Sequence, residues 1–206
     1  LLLDVGLTAK RIKEGLAECN LTSDDIQGIF VTHEHVDHVK SIRAIAKACV
    51  GAKVYTSRGT AGSCDKFEHI RAEQLEYMSA QDVVSIGDLS IKAFALSHDA
   101  AEPLGFSFME EGEQLSVATD TGVVTDEIDE EVKHANTLVL EANHEESILQ
   151  MGDYPYSLKR RILGEYGHLS NVASGITIAR ALLARKCVGR SDSDQRIMLA
   201  HLSSHN

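Results

Sequence analysis

A chain of 206 residues with 43% hydrophobic content fits one domain with a sizeable core, and with two prolines and no low-complexity tract it offers no linker between domains. Its 20 lysines and arginines against 31 aspartates and glutamates leave a net charge of −11, which excludes a broadly basic surface for coating nucleic acid, so any polyanionic substrate must be held locally. Cys19, Cys49, Cys64 and Cys187 form no CxxC pair and no dense framework and read as reduced thiols; no apolar run approaches a membrane span and no charged-then-apolar leader is present, so the expectation is one cytoplasmic domain over residues 1–206.

In chain order, Leu1 to Val5 reads as a buried strand already under way, so further sequence is expected ahead of it. Short strands are predicted at Gly28 to Thr32, Lys53 to Thr56, Leu89 to Leu96, Gly105 to Met109, Gln114 to Thr119, Thr137 to Glu141 and Arg196 to Ala200. Helical patterns lie between them at Ala9 to Cys19, Val39 to Val50, Ala72 to Tyr77, Val124 to His134, Tyr156 to Tyr166 and Asn171 to Lys186. Interleaved strands and helices make the expected class α/β.

The segment that carries chemistry is Thr32-His33-Glu34-His35-Val36-Asp37-His38, between an apolar strand and a helix. Imidazole and carboxylate are ligands for zinc and similar ions, and a solvated loop has no need of so many. A tight turn can aim His33 and His35 at one ion while Asp37 and His38, at the helix start, face a second. His98, Asp120 and His201 each follow an apolar strand. A lone histidine is usually a surface or satisfied core residue, but ligands delivered repeatedly from strand ends converge on one sheet edge. Seven ligands suffice for two divalent ions, zinc or manganese by expectation and iron by ligand type. Two such ions generate a hydroxide nucleophile near neutral pH, so the expected reaction is hydrolysis. Neither a Gly-X-Ser-X-Gly elbow nor a phosphate-cradling GKS/T loop occurs.

His33-X-His35-X-Asp37-His38, His98, Asp120-Thr121-Gly122 and His201 together resemble the metallo-β-lactamase superfamily. The resemblance implies a four-layered αβ/βα sandwich, here lacking terminal segments. It assigns His33, His35 and His98 to one metal, Asp37, His38 and His201 to the other, and Asp120 to both. Asp4 matches an early-strand aspartate that orients ligands without binding metal. His205 stands where a Glu-like residue is expected. About 80 residues separate Asp120 from His201, too few for the extra clamping domain of the β-CASP nucleases.

Glu141-Ala142-Asn143-His144 and Gly167-His168-Leu169-Ser170-Asn171 are similar to pieces of the RNase Z branch, which implies that Glu141 orients His168 and that His168 contacts the scissile phosphate or protonates the leaving oxygen. With Ser97-His98-Asp99-Ala100, Pro103-Leu104-Gly105-Phe106, Tyr154-Pro155 and Lys159-Arg160-Arg161-Ile162, the chain resembles the YycJ/WalJ (VicX) branch throughout. That resemblance implies a 5′-to-3′ DNA exonuclease with a part in DNA repair, with nucleic acid, DNA rather than RNA, as partner, no membrane, and an open oligomeric state, homo-oligomers included. A small-molecule thioesterase or lactonase on the same fold is the alternative.

Lys159 and Arg160 are expected to meet substrate phosphates, against a solvated face, and Arg161 to pair with local carboxylates. Ser170 and Asn171 are expected to cap the following helix and to offer amides to an anion. His69 and His134 read as surface residues, and His144 either lines the substrate cleft or makes a structural hydrogen bond.

Overall fold

The computed structural model describes residues 1–187 and 195–203, residues 186 and 187 by backbone alone; the Cys187 thiol and His205 lie outside the described residues. The chain divides into two compact units, Leu1–Asp82 with Ala100–Leu104, and Val83–Asp99 with Gly105–Asn206. Each carries one sheet and its own helices, an α/β fold. No helix among the described residues is long and apolar enough to cross a membrane.

The first unit holds a parallel sheet of β1 (Leu2–Leu3), β2 (Gly28–Phe30), β3 (Lys53–Thr56) and β4 (Leu75–Tyr77), in that order. Helix α1 (Ala9–Glu18) begins at Thr8, whose side chain accepts the Arg11 amide. It ends in a Schellman turn: Asn20 takes a positive φ of 58° and the Leu21 amide returns to the Leu16 carbonyl at 2.8 Å. Ile29, Val31, Ile42, Ile45 and Val54 form its core.

One helix was expected over Val39 to Val50; there are two, α2 (Val36–Val39) and α3 (Ile42–Ala48). The Ser41 amide donates to the Val5 carbonyl at 3.0 Å, a bond to the first strand that interrupts the helical ladder. The helix expected over Ala72 to Tyr77 is instead a 3₁₀ turn, Ala72–Gln74, followed by β4, because Leu75 to Tyr77 pair with Val54 to Thr56. A further short helix, α4 (Arg58–Gly62), was not predicted.

The second unit holds a six-stranded sheet of β5 (Val83–Ile86), β6 (Leu89–Ala95), β7 (Leu104–Glu110), β8 (Glu113–Ala118), β9 (Thr137–Glu141) and β10 (Arg196–Ala200), in the order 10-9-8-7-6-5. The β5 strand was not predicted. Pairings β5/β6 and β7/β8 are antiparallel hairpins, whereas β8, β9 and β10 run parallel and need helical crossovers. These are α5 (Asp126–His134), α6 (Glu146–Met151), α7 (Tyr156–Ile162) and α8 (Asn171–Cys187). Phe94, Ile128, Val132, Leu138, Leu140 and Leu169 form its core. The buried Glu131 is not an uncompensated charge, since it accepts from Lys92, Ser107 and Gln114. Helix α7 stops four residues short of the expected Tyr166, and the Gly167 amide turns back to the Gly164 carbonyl.

Gly6 is where the first strand lies on the metal-motif turn. A Cβ there would stand 1.3 Å from the Asp37 carbonyl oxygen. Gly15, inside α1, has nothing within 4 Å of such a carbon. Gly6→Ala is therefore expected to cost about 3 kcal/mol or more, and Gly15→Ala to add about 0.5–1 kcal/mol. Thermal melts followed by circular dichroism check both; a tolerated Gly6→Ala would contradict the close approach.

Candidate metal centre

In the first unit the metal motif is braced by Asp4, at the end of β1 in a left-handed conformation with φ 54°. Its carboxylate accepts from the Thr32 amide at 2.9 Å, from the Thr32 hydroxyl at 2.9 Å and from His38 Nδ1 at 2.7 Å. A carboxylate only accepts, so Nδ1 of His38 carries the proton and Nε2 keeps its lone pair. The Thr32 hydroxyl gives its one proton to Asp4 and so accepts from His33 Nδ1 at 3.0 Å, which fixes His33 in the same tautomer. The His33 and His38 ring centroids lie 4.0 Å apart, and those of His33 and His35 4.6 Å.

The turn is held from its other side as well. Glu34 accepts the Ala101 amide at 2.8 Å, and the Thr32 carbonyl accepts the Leu104 amide at 3.0 Å. Asp37 is exposed on the first turn of α2, and His38 is buried. Asp4, predicted to orient ligands, contacts His38 directly and His33 through Thr32.

In the second unit Glu141, the last residue of β9, is fully buried. Its Oε1 accepts from His168 Nδ1 at 2.8 Å and from His201 Nδ1 at 2.7 Å. Its Oε2 accepts the Thr121 amide at 2.8 Å and the Leu169 amide at 3.1 Å. Burial alone would raise the Glu141 carboxyl; hydrogen bonds from His168, His201 and Thr121 outweigh it and hold the pKa at about 2.

His98 donates Nδ1–H to the Gly167 carbonyl at 3.0 Å, again leaving Nε2 as the lone-pair nitrogen. Burial lowers its pKa against the pull of Asp120, which keeps the imidazole neutral as ligation requires. Asp120 Oδ1 lies 3.4 Å from His201 Nε2 and 3.9 Å from His98 Nε2. Asp120 and His201 are left-handed, with φ of 63° and 55°. Asp120, Glu141, His168 and His201 each bring one ligand atom within 4.8 Å of the others. Since both Glu141 oxygens are filled by N–H donors, Glu141 orients the cluster rather than ligating. The remaining donors, carboxylate and imidazole, are ligand types that fit a divalent ion.

The first unit thus carries His33, His35, Asp37 and His38, and the second carries His98, Asp120 and His201. Ser170 caps α8 by accepting the Ala173 amide at 3.2 Å. Exposed Asn171 gives its amide to the His144 carbonyl at 2.8 Å. Lys159 spends its ammonium on the Gln150 and Gly152 carbonyls at 2.7 and 2.6 Å, closing α6. Arg161 pairs with Asp99. Arg160, 6.0 Å over the Tyr156 ring, is the cation of this cluster whose side chain has neither a hydrogen bond nor an ion pair among the described residues.

His144 is buried, with no hydrogen-bond partner for either ring nitrogen among the described residues, whereas His69 and His134 are exposed. Asn143 was given no role from sequence, yet its amide holds the His201 carbonyl at 2.9 Å. Its place in the Glu141 to His144 run was the one signal for it.

Residues 3–189 match the model of the family described as Beta-lactamase superfamily domain. The chain belongs to the metallo-β-lactamase superfamily. It is 36% identical over 207 residues to exodeoxyribonuclease YycJ of Bacillus anthracis, with 100% of this chain and 75% of that protein covered. It is 33% identical over 209 residues to exodeoxyribonuclease WalJ of Streptococcus pneumoniae, with 100% and 74% covered. Among solved structures, the metallo-β-lactamase fold protein YhfI of Bacillus subtilis superposes with a TM-score of 0.68 at 14% identity, over 99% of this chain and 74% of that one. Human short-form tRNase Z superposes with a TM-score of 0.61 at 18% identity, over 98% and 81%. At these identities both show the superfamily fold alone. As a superfamily member the chain is a hydrolase that uses divalent metal.

A charged Glu141 stabilises the fold most above its unfolded pKa, near 4.5, and that contribution is lost as the pH falls towards the folded value of about 2. Glu141→Gln in metal-free protein is expected to lose about 3 kcal/mol at pH 7. Urea midpoints of the two proteins should draw together between pH 4.5 and about 2; a gap as wide at pH 3 as at pH 7 would refute the assignment.

Proposed function

We propose that the chain is a cytoplasmic phosphodiesterase acting as a 5′-to-3′ exonuclease on DNA rather than RNA. Two divalent ions, zinc or manganese with iron admissible, would be held by the sequence-assigned ligands: His33, His35 and His98 for one, Asp37, His38 and His201 for the other, and Asp120 for both. When bound, such ions activate water and stabilise charge on phosphoryl oxygens. The observation that carries the reading is Glu141 Oε1, which accepts from His168 and His201 together. One carboxylate thereby sets a ligand and, beside it, a histidine that is not needed as a ligand. With Nδ1–H donated to Glu141, His168 directs Nε2 to the substrate and, as the imidazolium with a second proton on Nε2, gives that proton to the leaving oxygen. Arg160 and Asn171 are the candidate phosphate contacts. Similarity along the whole of this chain to two proteins named exodeoxyribonuclease supports DNA as substrate, and the free thiols of Cys19, Cys49 and Cys64 support the cytoplasm.

The test is zinc- or manganese-loaded protein incubated with 5′- and 3′-labelled DNA and RNA, single- and double-stranded. Shortening from the 5′ end of DNA is expected, abolished by chelator and by Asp120→Ala, and slowed about 10²–10⁴-fold by His168→Ala. An undiminished His168→Ala would remove the mechanism. The charge of −11 favours a second reading, a thioesterase or lactonase, which turnover of those esters without any nucleic-acid cleavage would establish.

A further inference from the structure

A cleft of about 560 Å³ opens in the first unit between α3 and residues 69–74. That volume is in the range of small-ligand sites. Its floor is apolar, from Ala46, Val50 and Ile70, its rim is Arg43, Lys47 and Arg71, and no carboxylate lines it. Arg71 builds the wall: its guanidinium bonds the Val50 carbonyl at 2.9 Å and Gln74 Oε1 at 3.0 Å, and lies 3.5 Å from Glu73. Arg43 and Lys47 are exposed and have no ion pair or hydrogen bond among the described residues.

Arg43 sits in the first turn of α3, at the positive end of the helix dipole, where a cation is disfavoured; Lys47, in the last turn, is favoured by the dipole, but it stands one turn from Arg43, so the like charges repel. Two unpaired cations held together over an apolar floor, in a chain of charge −11, complement a ligand with an anionic group beside a flat apolar face. A nucleotide unit of a single strand is such a ligand, its base on the floor and its phosphate on the rim.

We propose that this cleft docks the single strand on which the enzyme acts, outside the metal-binding residues. The proposal rests on the nuclease reading above and names a second contact for its substrate. The test is the charge-reversed Arg43→Glu/Lys47→Glu holoenzyme, with Arg43→Lys/Lys47→Arg as conservative control and circular dichroism to confirm folding. KM for a single-stranded 20-mer is expected to rise at least ~10-fold with kcat unchanged, and the salt dependence of strand binding to weaken by a slope of about 1.4. The control should restore both, and turnover of bis(p-nitrophenyl) phosphate, which has no strand to dock, should not change. Wild-type-like KM and salt slope for the 20-mer would overturn the docking site while leaving the nuclease reading intact. A wild-type enzyme that neither cleaves the 20-mer nor binds its phosphorothioate analogue would overturn both. Thymidine monophosphate binding as tightly as the strand would mark a free-nucleotide pocket and overturn strand docking.

Discussion

The buried carboxylate of Glu141 is the constraint on which the second unit's chemistry depends. A charge with no solvent exposure persists only where hydrogen bonds replace the lost water, and Glu141 has four N–H donors. Those donors come from the turn after β8, the loop before α8 and the end of β10. Satisfying one charge therefore ties three chain segments together and orients two imidazoles. The cost of burying the group becomes the precision of the site.

Asp4 repeats this arrangement in the first unit at smaller scale. It gathers a threonine amide, a threonine hydroxyl and a histidine, and through them sets which nitrogen of His33 and His38 keeps its lone pair. The Gly167 carbonyl does the same for His98. The geometry of the candidate ligands is thus decided by acceptors one bond behind them, and those acceptors lie at strand ends and in loops fixed by backbone bonds.

Much of this was legible in the sequence, for identifiable reasons. Parallel strands such as Lys53–Thr56, Thr137–Glu141 and Arg196–Ala200 read as continuous apolar runs and were placed to the residue. The edge strands Leu75–Tyr77 and Val83–Ile86 expose several of their residues, lack that signal, and were missed or read as helix. The histidines and Asp120 stood out because their chemistry resides in residue type. The work of Glu34, Asn143 and Lys159 did not, since it depends on which backbone group a fold brings near. Glu34 meets an amide 67 residues away, and no local pattern records that. The engagement of Lys159 has the same cause, because its partners are carbonyls of the preceding turn.

The left-handed backbone at Asp4, Asp120 and His201 bears on how such a protein can be altered. Each of these residues adopts a left-handed conformation that glycine takes freely and that aspartate and histidine tolerate better than most, at a cost on the order of 1 kcal/mol apiece. Glycine would relax the backbone there, but at Asp4 it would strip the acceptor from Thr32 and His38 and at His201 a donor from the buried Glu141, so the exchange loses more stability than it gains. Those three positions are best held constant when robustness is sought, and improvement looked for in helices such as α1, away from the strand exits.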